Sequence, residues 1–210
     1  MEKTIANKNK IFSTRQISST SSLVKIAFLS TVAYIFMLME FPIPFFPPFL
    51  TIDLSDMPAL IGAFALGPIA GIMIELIKNL LHLITKTSTG GVGELSNFLV
   101  GAALVIPAGI IYAKNRKISG AILGMVLGTI VMAIVGALAN YYIIIPFYSN
   151  IMPIDKIISL SASANGAIKD LKTLILYGVV PFNLLKGSII SILTILIYKK
   201  ISPLLVRKRG

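Results

Sequence analysis

The sequence predicts an all-α membrane protein, a bundle of six transmembrane helices with both termini on the cytoplasmic side. Three observations carry this. Hydrophobic residues make up 56% of the 210 and charged residues only 13%, against roughly 25% charged in an average soluble domain. Breakers divide the apolar sequence into six runs. Basic residues gather at the two ends and in one short central loop. At about 20 residues per span, six helices use most of the chain and leave no room for a second folded domain. The absence of cysteine excludes disulfides, iron–sulfur clusters and thiol chemistry within the chain.

Residues 1–22 form a polar, Ser-rich, basic tail, too long for a signal-peptide n-region and not followed by an A-x-A site, so it is expected to be retained in the cytoplasm. The first span is expected near 23–39. Residues 40–56 carry four prolines between Pro42 and Pro48, each lacking an N–H and constraining its neighbour, which rules out a regular helix. Backbone of that kind cannot face lipid, so the segment is expected as a lid or wall over a site. A short second span near 57–67 ends at Gly67-Pro68, a turn signal before the third span at 69–85. Further spans are expected near 95–113, 119–145 and 174–198. The membrane domain is thus 23–200, and 201–210 is a second basic cytoplasmic tail.

Charge supports the count. With the N-terminus inside, six spans put Lys3, Lys8, Lys10, Arg15, Lys25, Lys114, Arg116, Lys117, Lys199, Lys200, Arg207, Lys208 and Arg209 on the cytoplasmic side. Outer segments hold only Lys86, Lys156, Lys169 and Lys172, as the positive-inside rule requires. The net charge of +11 is therefore a property of membrane flanks, and nucleic acid is not expected as a partner. The outer segments 40–56, 86–94 and 146–173 are long and the inner turns short, which points to a ligand taken from outside.

Polar groups inside spans cost at least about 2.5–3.5 kcal/mol when charged, and by default they mark function. Glu75, Lys78, Asn79 and His82 share one helical face. Glu75 and Lys78 can neutralise each other one turn apart. His82 has no second His or any Cys to complete a metal site, so no metal is expected. Asn97, Asn140, Asn183 and Lys186 lie on different spans toward the outer half. Each Asn alone also suits interhelical hydrogen bonding, worth about 0.6 kcal/mol; grouped beside Lys186 they favour a polar ligand site. Amides donate and accept, which suits an uncharged ligand rich in hydroxyls and ring carbonyls. Phe41, Phe45, Phe46, Phe49, Phe98, Tyr141 and Tyr142 sit at the same outer level, where they either flank a flat ring or form the interfacial belt.

Seven segments then establish a resemblance: Glu40-Phe-Pro-Ile-Pro-Phe45, Asp53-Leu-Ser-Asp56-Met-Pro-Ala-Leu-Ile61, Phe64-Ala-Leu-Gly-Pro-Ile-Ala-Gly71, Leu76-Ile-Lys-Asn-Leu-Leu81, Gly91-Val-Gly-Glu-Leu-Ser-Asn-Phe-Leu99, Leu138-Ala-Asn-Tyr-Tyr142 and Pro181-Phe-Asn-Leu-Leu-Lys-Gly187. In order and together, they resemble the substrate-binding S components of energy-coupling factor (ECF) vitamin transporters, in particular the riboflavin-binding kind. The resemblance implies a six-helix bundle in the bacterial cell membrane that binds riboflavin at the outer side under its first loop. Carried over by motif, Asn140, Asn183 and Lys186 lead the substrate-binding residues, with Asn97 and Glu40 next. Phe41, Met37 and Leu38 are expected against the ring from their position beside the loop. Riboflavin is then cargo, and no cofactor is expected. The resemblance also implies an ECF transmembrane coupling subunit and two ATPase subunits as partners, with the first helix docking through small residues, here Ala27, Thr31, Ser30 and Ala33.

The chain has no G-x-x-x-x-G-K-[ST] run, so it offers no such phosphate-cradling loop for ATP. Three other functions remain as alternatives. One is an S component for a different vitamin. Another is a stand-alone secondary transporter using Glu75 and Lys78 as a proton relay, against which stand few spans and no obvious repeat. The third is an intramembrane enzyme using Glu75, His82, Lys78 or Asp56, for which no recognisable nucleophile–base pair exists. The chain is expected not to be an enzyme.

Overall fold

The computed structural model describes residues 19–87, 89–150 and 152–205. The tail residues before Ser19 and after Leu205 lie outside the described residues. Among the described residues, five helices are long and apolar enough to cross a membrane, and a sixth apolar helix is shorter.

Helix α1 (Thr20–Leu38) starts three residues before the expected span because Ser19 caps it, its side chain accepting from the Ser22 N–H. Such a cap satisfies one of the orphan donors of the first turn. Two short antiparallel strands come next, β1 (Phe41–Pro42) and β2 (Thr51–Ile52), with Phe41 opposite Ile52 and Pro42 opposite Thr51. Their link holds the proline run, and Phe45 turns there with φ of 72°. Helix α2 (Asp56–Leu66) is the short one. It stops at Gly67, whose φ of 105° favours glycine, and Pro68 opens α3 (Pro68–Thr85) where its missing N–H has no helical partner to lose.

Helices α4 (Val92–Lys114) and α5 (Ile118–Ala139) pack closely through glycine. A Cβ on Gly124 would stand 2.8 Å from the Ala108 carbonyl oxygen, and one on Gly128 only 2.5 Å from that of Leu104. Small residues let two helices approach this far, which is how bundles hold together where lipid competes equally for apolar side chains.

The last two spans each contain a π turn. Helix α5 continues through a π turn at Asn140–Ile144 into α6 (Ile145–Tyr148). Helix α8 (Leu171–Leu174) runs through a second at Ile175–Val179 into α9 (Val180–Leu205). Within two residues of each π turn comes a proline, Pro146 or Pro181. A proline deletes the hydrogen bond to the carbonyl four residues back and collides with it, so a wider turn relieves both effects. The carbonyl that Pro181 leaves is that of Tyr177, and it accepts from Asn165 Nδ2 at 3.5 Å.

The segment between these spans is not plain loop. It contains α7 (Ile154–Ala164), an amphipathic helix that buries Ile157 and Ser161 and leaves Lys156 and Leu160 exposed. Ile157 joins Ile145, Ile168, Leu174, Ile175 and Val179 in a second, smaller core. The main core joins α1, α2, α3, α4, α5 and α9. At the other end of α4, Tyr112 and Tyr198 share a hydrogen bond between hydroxyls and both pack on Phe64.

Candidate functional site

A cavity of about 330 Å³ opens among the β1–β2 segment, α3, α4, α6, α7, the first π turn and α9. That is at the lower end of the roughly 300–1,000 Å³ range of small-molecule pockets. Its roof is the proline-stiffened segment, through Pro48, Phe49, Leu50 and Thr51. Glu40 anchors this roof: its carboxylate accepts from Thr51 Oγ1 at 2.9 Å and lies 3.9 Å from Lys86 at the end of α3. Pro47 fits against Gly178 of the second π turn, where an added Cβ would stand 3.0 Å from its ring.

Six of the eight expected substrate-binding residues, Asn140, Asn183, Lys186, Asn97, Glu40 and Met37, line this one cavity. Phe41 and Leu38 do not line it. Phe41 lies in β1 and is 59% exposed, and Leu38 lends its backbone carbonyl to Lys86 at 3.3 Å. Phe49 of the roof and Phe182 of α9 line the cavity instead, with Phe46 edge-on to Phe182 at 5.5 Å.

The two leading amides are held in the same way. Asn140 Nδ2 donates to the Gly136 carbonyl at 2.8 Å, and Asn183 Nδ2 donates to the Val179 carbonyl at 2.9 Å. Each acceptor is four residues back; Asn140 opens the first π turn, and Val179 closes the second. The side-chain carbonyl of each amide then stays available as an acceptor beside the cavity. Gly136 makes room for this: a Cβ there would stand 2.7 Å from Asn183 Nδ2. Asn97 is less independent, accepting from Asn79 Nδ2 at 3.4 Å.

Beside the cavity lies a buried ionic cluster that periodicity reveals only in part. Lys78, fully buried, is 2.5 Å from Asp56 Oδ1 and 2.6 Å from Ser55 Oγ. Its ammonium is also 2.8 Å from Glu75 Oε2, off the angle of a hydrogen bond, so neither Glu75 oxygen has a hydrogen-bond partner. The expected one-turn Glu75–Lys78 pair therefore exists inside a larger group. Lys186 donates to Asp53 Oδ2 at 2.9 Å and lies 3.6 Å from Asp56 Oδ2. Burial alone would push the Asp53 carboxyl up, but the ammoniums of Lys186 and Lys78 outweigh it and lower Asp53 to about 2.

Two acid–base side chains of the cavity, His82 and Glu94, lie outside the expected substrate-binding set. His82 Nδ1 is 2.8 Å from Glu94 Oε1, and Glu94 Oε2 accepts from Thr87 and Thr89. Both His82 and Glu94 line the cavity. The signal was present in the shared face of Glu75, Lys78, Asn79 and His82, whose C-terminal end reaches the first turn of α4. On the docking face expected for α1, Ala27 and Thr31 are exposed. Ser30 and Ala33, of the same expected face, are buried against the bundle, 1% and 0% exposed.

Apolar spans, a roofed cavity between them and a few convergent polar side chains define a membrane-embedded binding protein for a small amphipathic molecule. The pattern of ECF transporter substrate-specific components matches residues 21–198, and the chain belongs to that family. It is 40% identical over 185 residues to a riboflavin transporter, RibU, of Staphylococcus aureus, covering 88% of this chain and 92% of the relative. It is 36% identical over 190 residues to the riboflavin transporter FmnP of Bacillus subtilis, covering 90% and 95%. A solved S component of a bacterial ECF transporter superposes with a TM-score of 0.71 at 37% identity, over 88% of this chain and 97% of that one. The protein is thus a multi-pass component of a transporter in the bacterial cell membrane, and its family is one of binding subunits.

Proposed function

We propose that this chain is the riboflavin-binding subunit of an ATP-driven ECF vitamin transporter, capturing riboflavin from the outer side beneath the 40–56 segment. The observation that carries the reading is the convergence of Asn140, Asn183 and Lys186 on one cavity whose other walls are largely apolar. Amide carbonyls and an ammonium suit ribityl hydroxyls and ring carbonyls, and Phe49 and Phe182 suit a flat ring. The names of the S. aureus and B. subtilis relatives support riboflavin over another vitamin.

Energy comes from partners: a transmembrane coupling subunit and two ATPase subunits, with Ala27 and Thr31 on the exposed side of α1 as part of the docking face. Both termini are cytoplasmic, which the concentration of bases in the tails and the 114–117 turn supports. Residues 1–22 and 201–210 flank the membrane domain, although α1 takes in Thr20 to Ser22 and α9 runs on to Leu205. The deciding experiment is the absorbance spectrum of detergent-purified protein from a riboflavin-supplemented culture, and then fluorescence-quench titration of the apo form. Yellow protein with one site per chain is expected. Colourless protein that ignores riboflavin would overturn the assignment.

A further inference from the structure

The ionic cluster beside the cavity is one hydrogen short. Lys78 and Lys186 are its two ammoniums and Asp53, Asp56 and Glu75 its three carboxyls, all of them at most 5% exposed. Fully ionised, the group holds one negative charge too many, and an unbalanced charge in a bundle interior costs far more than a neutral acid. The hydrogen bonds single out one carboxyl. Asp53 accepts from Lys186 and from the Ser55 N–H, and Asp56 accepts from Lys78. Neither oxygen of Glu75 has a hydrogen-bond partner. One turn on, Asn79 Oδ1 is unpartnered as well, while its Nδ2 donates to the Glu75 backbone carbonyl, and Asp56 Oδ2 is a further acceptor left over. Every unpartnered atom of the cluster accepts and none donates.

No other element brings a charge that answers Glu75. Gly101 of α4 backs onto its carboxyl, where an added Cβ would overlap it. Farther along the α3–α4 contact, His82 and Glu94 are paired with each other. Helix α1, which also packs on α3, carries one charged residue, Lys25, in its second turn.

We propose that Glu75 is a proton-binding site: its carboxyl holds one proton at neutral pH, which makes the cluster neutral and gives it an O–H donor among acceptors that lack one. A protonated carboxyl donates where a carboxylate can only accept. A metal ion does not suit the same place. Lys78 already stands within 2.8 Å of oxygens of both Asp56 and Glu75, and among the described residues no three His, Cys, Asp or Glu side chains group to hold one. In the unfolded chain a glutamate is ionised at neutral pH. Unfolding therefore releases this proton, and stability falls as pH rises.

The test is infrared spectroscopy of full-length protein at neutral pH in an ester-free detergent, read at the C=O stretch of a protonated carboxylic acid. Wild type is expected to show that band. Glu75→Gln is expected to lack it while folding and binding riboflavin as wild type does, because an amide replaces a neutral acid without a change of charge. Asp56→Asn carries the sharper expectation: with one carboxylate gone, the cluster balances only if Glu75 ionises, so the band disappears although Glu75 is intact. The unfolding temperature of wild type is expected to fall relative to that of Glu75→Gln as pH rises from neutral into the mildly alkaline range.

A wild-type spectrum without the band, or a band that survives either substitution, would overturn the proposal. So would a Glu75→Gln protein that does not fold, since that is how an ionised partner of Lys78 behaves. Thermal stability that follows sodium or potassium and not pH would overturn it too. Should Asp56→Asn not fold, the comparison of wild type with Glu75→Gln decides alone. Wild-type protein that shows the band and ignores riboflavin would end the function proposed above and leave this inference standing.

Discussion

Asn183 shows how a single side chain becomes part of a site. Its amide is fixed by the Val179 carbonyl and admitted by the missing side chain at Gly136. Truncating it, or Lys186, to alanine is expected to weaken riboflavin binding by about 1–3 kcal/mol, the cost of leaving buried polar partners unpaired, read by quench titration. Gly136→Ala is expected to act at one remove, displacing Asn183 and costing about 1–3 kcal/mol as an overpacked contact. Asp53 gives a pH prediction. Its carboxyl is lowered from 3.8 to about 2 on folding, so its contribution to stability is present above pH 3.8 and is lost as pH falls toward 2. Thermal unfolding of Asp53→Asn is therefore expected to be less acid-sensitive than wild type across that interval. The sequence exposed the ionisable residues of one helix face but not this pairing, because Asp53 and Lys186 are 133 residues apart and periodicity is blind to such distances.

At the scale of elements, hydropathy and breakers located all six apolar helices. Gly67-Pro68 ended one and began the next as its turn chemistry requires. Helix α7 was not legible in the same way: eleven residues with Asp155, Lys156 and three serines carry too little apolar signal to stand out from a polar loop. Only its packing on the smaller core gives it a face to bury. The π turns were hidden too, although Pro146 and Pro181 stood in the sequence, since a proline says that a helix is disturbed and not how it adjusts. Packing of α4 on α5 is the strongest test at this scale. Gly128→Val would drive methyl groups into the Leu104 carbonyl, 2.5 Å from the Cβ position, and is expected to lower the unfolding temperature in detergent while a conservative change on the lipid side, such as Leu127→Ile, leaves it nearly unchanged.

For the whole molecule, the asymmetry between a basic side and an elaborated side fixes the expected orientation. The chain contains no cysteine, so single cysteines can be introduced without a background. A cysteine at Ser163 on α7 is expected to react with an impermeant maleimide added to intact cells, and one at Asn115 only after permeabilisation; the reverse would invert the topology. The cavity itself was legible as a set of polar residues on separate spans, and its depth and roof were not, because they depend on how α7 and the 40–56 segment fold back over the spans. The π turns have a last consequence. Each accommodates one residue more than an unbroken α-helix needs at that place, so the chamber depends on chain length as much as on composition. Shortening the chain by a single apolar residue within 175–179 leaves hydropathy and charge almost untouched, yet it would rotate α9 by about 100° and turn Asn183 and Lys186 away from Asn140.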